Sequence, residues 1–173
     1  KGIGYAIAKT LGEQGAHVIA HYGHDISGAN DATKSISDDQ KLLISADLSD
    51  RDGYLKLWQE SMSWVGKVDV LVANAAIMPE ASLLDSDEIW TQAWDSAFEV
   101  NVRSTSFLIR EAVKHFLNNN GGIIVGLTSW AAQRGSGNPK LSGYAASKAP
   151  INPFLKTIAK TYAKEGVYTY LIA

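Results

Sequence analysis

Val68-Asp69-Val70-Leu71-Val72-Ala73-Asn74-Ala75-Ala76 is the stretch on which the fold turns. Its first six residues are almost entirely apolar and rich in valine, without the polar alternation of a half-exposed strand. Such a run reads as a strand covered on both faces, and the Asn that follows is a natural turn-former. Working outward, the same signature recurs downstream at Gly122-Ile123-Ile124-Val125-Gly126-Leu127 and at residues 167–173. Upstream it recurs at Leu42-Leu43-Ile44-Ser45-Ala46 and Ala16-His17-Val18-Ile19-Ala20. Residues 3–14, 51–64, 97–117 and 155–164, lying between these runs, read as amphipathic helices. Alternation of strand and helix predicts βαβ units and an α/β, doubly wound parallel sheet with helices on both faces.

The composition agrees. The chain has 173 residues, 46% hydrophobic and 20% charged, with a formal net charge of −2, which fits one domain with a sizeable core. No basic block points to nucleic acid, and no apolar run approaches membrane-spanning length. The absence of cysteine excludes disulfides and thiolate chemistry and is compatible with a reducing, cytoplasmic setting. No internal repeat, low-complexity tract or linker divides the chain. Gly2-Ile3-Gly4 opens directly into a helix, whereas a glycine turn of this kind normally follows a first strand. The chain also stops within its last apolar run, so the expectation is a single dinucleotide-binding domain over residues 1–173, truncated at both ends and lacking its first strand.

One pair of residues points to chemistry. Tyr144 and Lys148 lie four apart in Gly143-Tyr144-Ala145-Ala146-Ser147-Lys148-Ala149, hence on one helix face. An ammonium so placed lowers the pKa of a phenol, which unaided is a poor base near neutrality. Upstream lie Leu127-Thr128-Ser129 and, earlier, Asn101. Each of these has a plain structural reading too: Ser129 as a strand end, Asn101 as a helix breaker, Tyr144 as packing.

With glycine turn, strand, Asn, Ser and Tyr-x-x-x-Lys in this order, the chain resembles the short-chain dehydrogenase/reductase family along nearly its whole length, particularly members like the 3-oxoacyl-carrier-protein reductases. The resemblance implies a Rossmann fold, here without the family's C-terminal substrate lid, and hydride exchange between a nicotinamide cofactor and a ketone or secondary alcohol. It implies that Tyr144 exchanges the alcohol proton, Lys148 lowers the Tyr144 pKa and holds the nicotinamide ribose, Ser129 bonds the substrate oxygen, and Asn101 supports a water beside Lys148. Lys1, Gly2, Ile3 and Gly4 correspond to the end of the family's T-G-x-x-x-G-x-G turn, which cradles a pyrophosphate at a helix N-terminus. Asp47 and Leu48 correspond to the pair that holds the adenine, although Asp47 also reads as the N-cap of the following helix. Asn74, Ala75 and Ala76 match Asn-Asn-Ala-Gly, with departures at Ala73 and Ala76.

Three further features differ from the family pattern. The interval from Ser129 to Tyr144 is longer than is common, with the surplus in the Gly/Ser-rich residues 133–142, where a loop absorbs insertion at little entropic cost. Pro150 and Pro153 fall where the family continues its helix, and a proline inside a helix costs about 3 kcal/mol, so a kink near Lys148 is expected. The second strand ends in His21-Tyr22-Gly23-His24, with Tyr22 where NAD-users often carry Asp, and Lys1 resembles a 2′-phosphate ligand.

These features favour NADP(H) over NAD. His21 and His24 have no acidic neighbours with which to form a metal site. Trp130, beside Ser129, suggests a ring-accepting wall for a small-molecule substrate. Arg103 and Arg110 share a helix face and read as solvated charge. By analogy with the family, a homodimer or homotetramer is expected. The rival readings are an NAD-linked alcohol or sugar dehydrogenase and a catalytically silent nucleotide-binding member.

Overall fold

A computed structural model describes residues 2–173. It contains two compact units, Lys1–Lys67 and Val68–Ala173. In the first unit, helix α1 (Gly2–Glu13) leads to strand β1 (Val18–Tyr22), followed by α2 (Ile26–Ala32), β2 (Lys41–Ser45) and α3 (Arg51–Val65). Strands β1 and β2 pair in parallel, with Val18 opposite Lys41 and Tyr22 opposite Ser45. Ile44 and Tyr54 are deeply buried between this ladder and α3. The short α2 was not legible as a helix. It starts where the Asp25 carboxylate accepts the Gly28 N–H, an Asx cap on a segment otherwise rich in Gly, Asn and Asp.

The second unit contains β3 (Val70–Ala73), α4 (Asp87–Phe98), a π-helical turn (Glu99–Ser104), α5 (Thr105–Leu117) and β4 (Gly122–Leu127). A short α6 (Ala131–Arg134), then α7 (Ser142–Lys148), α8 (Ile151–Tyr162) and β5 (Val167–Ile172) complete it. Its three strands run parallel in the order β3-β4-β5. Helix α5 buries Ile109, Ala112, Val113 and Phe116, the i, i+3, i+4, i+7 stripe of a helix laid on a sheet. With Ile124, Leu155 and Val167 these residues form the centre of the core. Gly126 in β4 allows a close approach, since a Cβ there would lie 2.6 Å from Leu155 Cδ1 and that side chain would have to shift. Parallel strands flanked by helices in both units are the Rossmann-type α/β class that the alternation predicts.

Two helices differ from expectation. The helix expected at residues 97–117 begins ten residues earlier, where Ser86 caps Ile89 and Asp87 and Glu88 favour the positive helix end. It then passes through the π-helical turn that contains Asn101. The expected break near Lys148 occurs at Ala149-Pro150, which separates α7 from α8. Pro150 caps α8 and Pro153 lies in its first turn. Neither sits in a helix interior, because first-turn positions have no intrahelical partner for the missing N–H.

Candidate functional site

Strands β3 and β4 are neighbours in register, Ala73 opposite Gly126, so the segments leaving their C-terminal ends start side by side. Asn74, Ala75 and Ala76 follow β3, and Thr128, Ser129 and Trp130 follow β4. Ligand sites of parallel α/β sheets lie at this edge.

Helix α7, carrying Tyr144 and Lys148, is fastened to this edge at its C-terminal end. The Thr128 hydroxyl donates to the Lys148 carbonyl at 3.2 Å, and Lys148 Nζ donates to the Leu127 carbonyl at 2.5 Å. Thr128, an alternative to Ser129 by chemistry alone, is thereby committed to the scaffold. Lys148 is 7% exposed, and burial pushes its pKa below the ordinary lysine value. No carboxylate pairs with it among the described residues. Tyr144, one turn earlier on the same helix, is half-buried. Ser129 accepts the Ala131 N–H at 3.2 Å and keeps its own O–H to donate. Trp130 is 62% exposed and Met78, on the segment after β3, is 55% exposed, two apolar side chains at the same sheet edge.

Asn101 is 5% exposed and its amide is fully occupied. Its Oδ1 accepts the Ile77 N–H at 2.8 Å, while Nδ2 donates to the Ile77 carbonyl at 2.8 Å and to Ser147 Oγ at 2.9 Å. Ser147 passes its own hydrogen to the Tyr144 carbonyl at 2.8 Å. The structure thus joins Asn101 to the Tyr144 turn through Ser147, a residue the sequence reading did not select. Its only signal was its place inside the Tyr-x-x-x-Lys motif. Direct side-chain hydrogen bonds among Ser129, Tyr144 and Lys148 are absent among the described residues.

The other expected site residues lie in the first unit. Gly2, at φ 67°, and Ile3 and Gly4 form the first turn of α1, a twelve-residue helix without acidic residues in that turn. Lys1 lies outside the described residues. Tyr22 ends β1, and no carboxylate replaces it before Gly23 and His24. Asp47 is exposed and Leu48 buried. Asp47 Oδ1 accepts both the Ser49 N–H and the Ser49 hydroxyl, at 2.8 and 2.7 Å, and these bonds hold its carboxyl below the usual range. The cap of α3 falls instead to Asp50, whose carboxylate accepts the Asp52 N–H. Asp47 therefore organises the turn through Oδ1, and its Oδ2 accepts no hydrogen bond among the described residues.

Gly53, which the sequence reading passed over, makes that turn possible: a Cβ there would lie 2.0 Å from the Asp47 carbonyl. His21 has a role as well. Its Nε2–H donates to the Ala46 carbonyl at 2.9 Å, bracing the strand end that presents Asp47, and burial lowers its pKa. Within the first unit, a glycine turn opening a helix and an exposed carboxylate at the end of a parallel strand are features of the kind that dinucleotide phosphates and adenosine groups meet. Among the described residues no group of three or more His, Cys, Asp or Glu is placed to hold a metal ion. None of the described helices is long and apolar enough to cross a membrane.

Comparison with known proteins gives a consistent result. Versicolorin reductase 1 of Aspergillus parasiticus is 34% identical over 161 residues, which is 92% of this chain and 59% of that protein. The 3beta-hydroxysteroid dehydrogenase 1 of Eggerthella lenta is 31% identical, matched along 100% of this chain and 66% of its own length. Among solved structures, one designated a candidate betaketoacyl-ACP reductase superposes with a TM-score of 0.82 at 32% identity, covering 96% of this chain and 65% of that one. Acetoin dehydrogenase from Enterobacter cloacae gives 0.87 at 26% identity, with 100% and 68% covered. The chain thus spans roughly three fifths to two thirds of the length of these relatives. The profile described as short chain dehydrogenase matches residues 1–173, and the chain belongs to that family.

Proposed function

We propose that residues 1–173 are one dinucleotide-binding domain of an NADP(H)-preferring oxidoreductase that interconverts a ketone and a secondary alcohol. The observation that carries this reading is the buried Lys148 ammonium, one helical turn from Tyr144 and held by the Leu127 carbonyl with no carboxylate partner among the described residues. A bound nicotinamide dinucleotide supplies or accepts the hydride. In the reducing direction Ser129 donates its free O–H to the carbonyl oxygen and Tyr144 gives that oxygen a proton. Lys148 stabilises the resulting phenolate, and in the oxidising direction the proton returns to Tyr144. Asn101 contributes by fixing the Ile77 backbone and Ser147. Lys148 also holds the nicotinamide ribose.

The NADP(H) preference rests on Tyr22 in place of a carboxylate and on the cation at Lys1. Apolar Trp130 and Met78 at the sheet edge favour a ring-bearing substrate. This agrees with relatives whose names specify a hydroxysteroid and a hydroxycyclohexanecarboxylate. A cytoplasmic homodimer or homotetramer is part of the same reading. Fluorescence titration with NADPH and NADH tests it. Tighter binding of NADPH is expected, a preference for NADH would overturn the cofactor assignment, and binding of neither would refute the oxidoreductase reading.

A further inference from the structure

We propose that Ser147 is a positioning residue that sets the orientation of Tyr144 relative to Lys148. The proposal rests on the reading of Tyr144 as the proton-transfer group. Ser147 is 1% exposed, and both halves of its hydroxyl are used directionally. It accepts from Asn101 Nδ2 at 2.9 Å and donates to the Tyr144 carbonyl at 2.8 Å. A chain of hydrogen bonds running one way polarises each member in turn.

The other end of the motif is held separately, by Thr128 on the Lys148 carbonyl and by Lys148 Nζ on Leu127, both at the end of β4. The two residues of the motif are thus anchored to different elements: Tyr144 to the π-helical turn through Ser147 and Asn101, Lys148 to the sheet. Removing the Ser147 hydroxyl releases the first anchor and leaves the second. Loss of general stability alone would lower the melting temperature. Loss of this anchor would also change how the Lys148 charge bears on the Tyr144 phenol, and that appears in a pH profile.

The test is the pH dependence of kcat in wild type and Ser147→Ala, with melting temperatures measured alongside. The expected result is a profile displaced to higher pH and kcat reduced about tenfold, equivalent to about 1.4 kcal/mol, with the Kd for NADPH unchanged. A melting temperature that falls while the profile stays in place would overturn the proposal. Ser147→Cys, close in volume and a weak hydrogen-bonder, carries the same test should the alanine variant not fold, with a smaller displacement expected and no displacement refuting it. An activity-free readout separates this proposal from the functional one. With ring-labelled tyrosine, the Tyr144 resonance, assigned by Tyr144→Phe, is titrated by NMR. If the wild type turns over no carbonyl substrate, the proposed function fails, and the titration alone then decides Ser147. Displacement in Ser147→Ala supports the anchor and coincidence with wild type overturns it.

Discussion

Replacing Asn101 by Ala removes the most heavily bonded side chain at the candidate site. Three hydrogen bonds disappear together, two to the Ile77 backbone and one to Ser147. Asn101 and Ser147 are both buried, so water does not readily replace the lost bond between them. At about 1 kcal/mol net for each bond, the loss comes to about 3 kcal/mol. For a chain of this size each kcal/mol moves the melting temperature by about 2–4 °C, so a fall of about 6–12 °C is expected. Asn101→Asp separates the contributions. It keeps an acceptor for the Ile77 N–H, but it sets a carboxylate oxygen against the Ile77 carbonyl and forces Ser147 to choose between two acceptors. Its cost at neutral pH should equal or exceed that of alanine. Urea unfolding followed by circular dichroism measures both variants. A loss below about 1 kcal/mol in Asn101→Ala would refute the reasoning, because that is the worth of a single bond.

Gly53→Ala should weaken NADPH binding more than tenfold, because its Cβ meets the Asp47 backbone, which has no flexible end to give way; titration with NADPH reads this, and unaltered affinity would count against the role of Asp47. Gly126→Ala meets the movable end of Leu155 and should cost about 1–3 kcal/mol by denaturation. For His21, burial holds the folded-state pKa below the ordinary 6.5, so the unfolded chain takes up its proton first as pH falls. Stability present above about pH 6.5 is then lost as the pH falls toward the folded value. The His21→Asn variant should lack this component in a series of denaturation curves, and an identical pH dependence would contradict it.

The strands were legible because burial on both faces leaves an apolar run that little else produces. Gly122–Leu127 was found with its true limits, and the others within about two residues, the usual uncertainty of element ends. Helix α2 was hidden because its residues favour turns individually and become helical only behind the Asp25 cap. The start of α4 does carry a signal at Ser86-Asp87-Glu88, an N-cap serine followed by two acidic residues in the first turn.

At the candidate site, Tyr144, Lys148, Ser129 and Asn101 stand out in the sequence because residue type and order carry information, and their roles belong to the proposed function. The tasks of Ser147, Thr128, Gly53 and His21 could not, since each depends on a partner distant in the chain or on a close backbone approach. Arg103 and Arg110 read correctly as surface charge: Arg103 pairs with Glu99 and Arg110 with Glu111, each at 2.7 Å.

Tyr144→Phe tests the central claim most directly, because it deletes one oxygen and leaves the Lys148 anchors in place. Carbonyl-dependent NADPH oxidation and NADPH affinity are measured on the same preparation. The account predicts that turnover falls to background while NADPH binds as in wild type. Turnover that survives the substitution would contradict the assignment of Tyr144 as the proton donor.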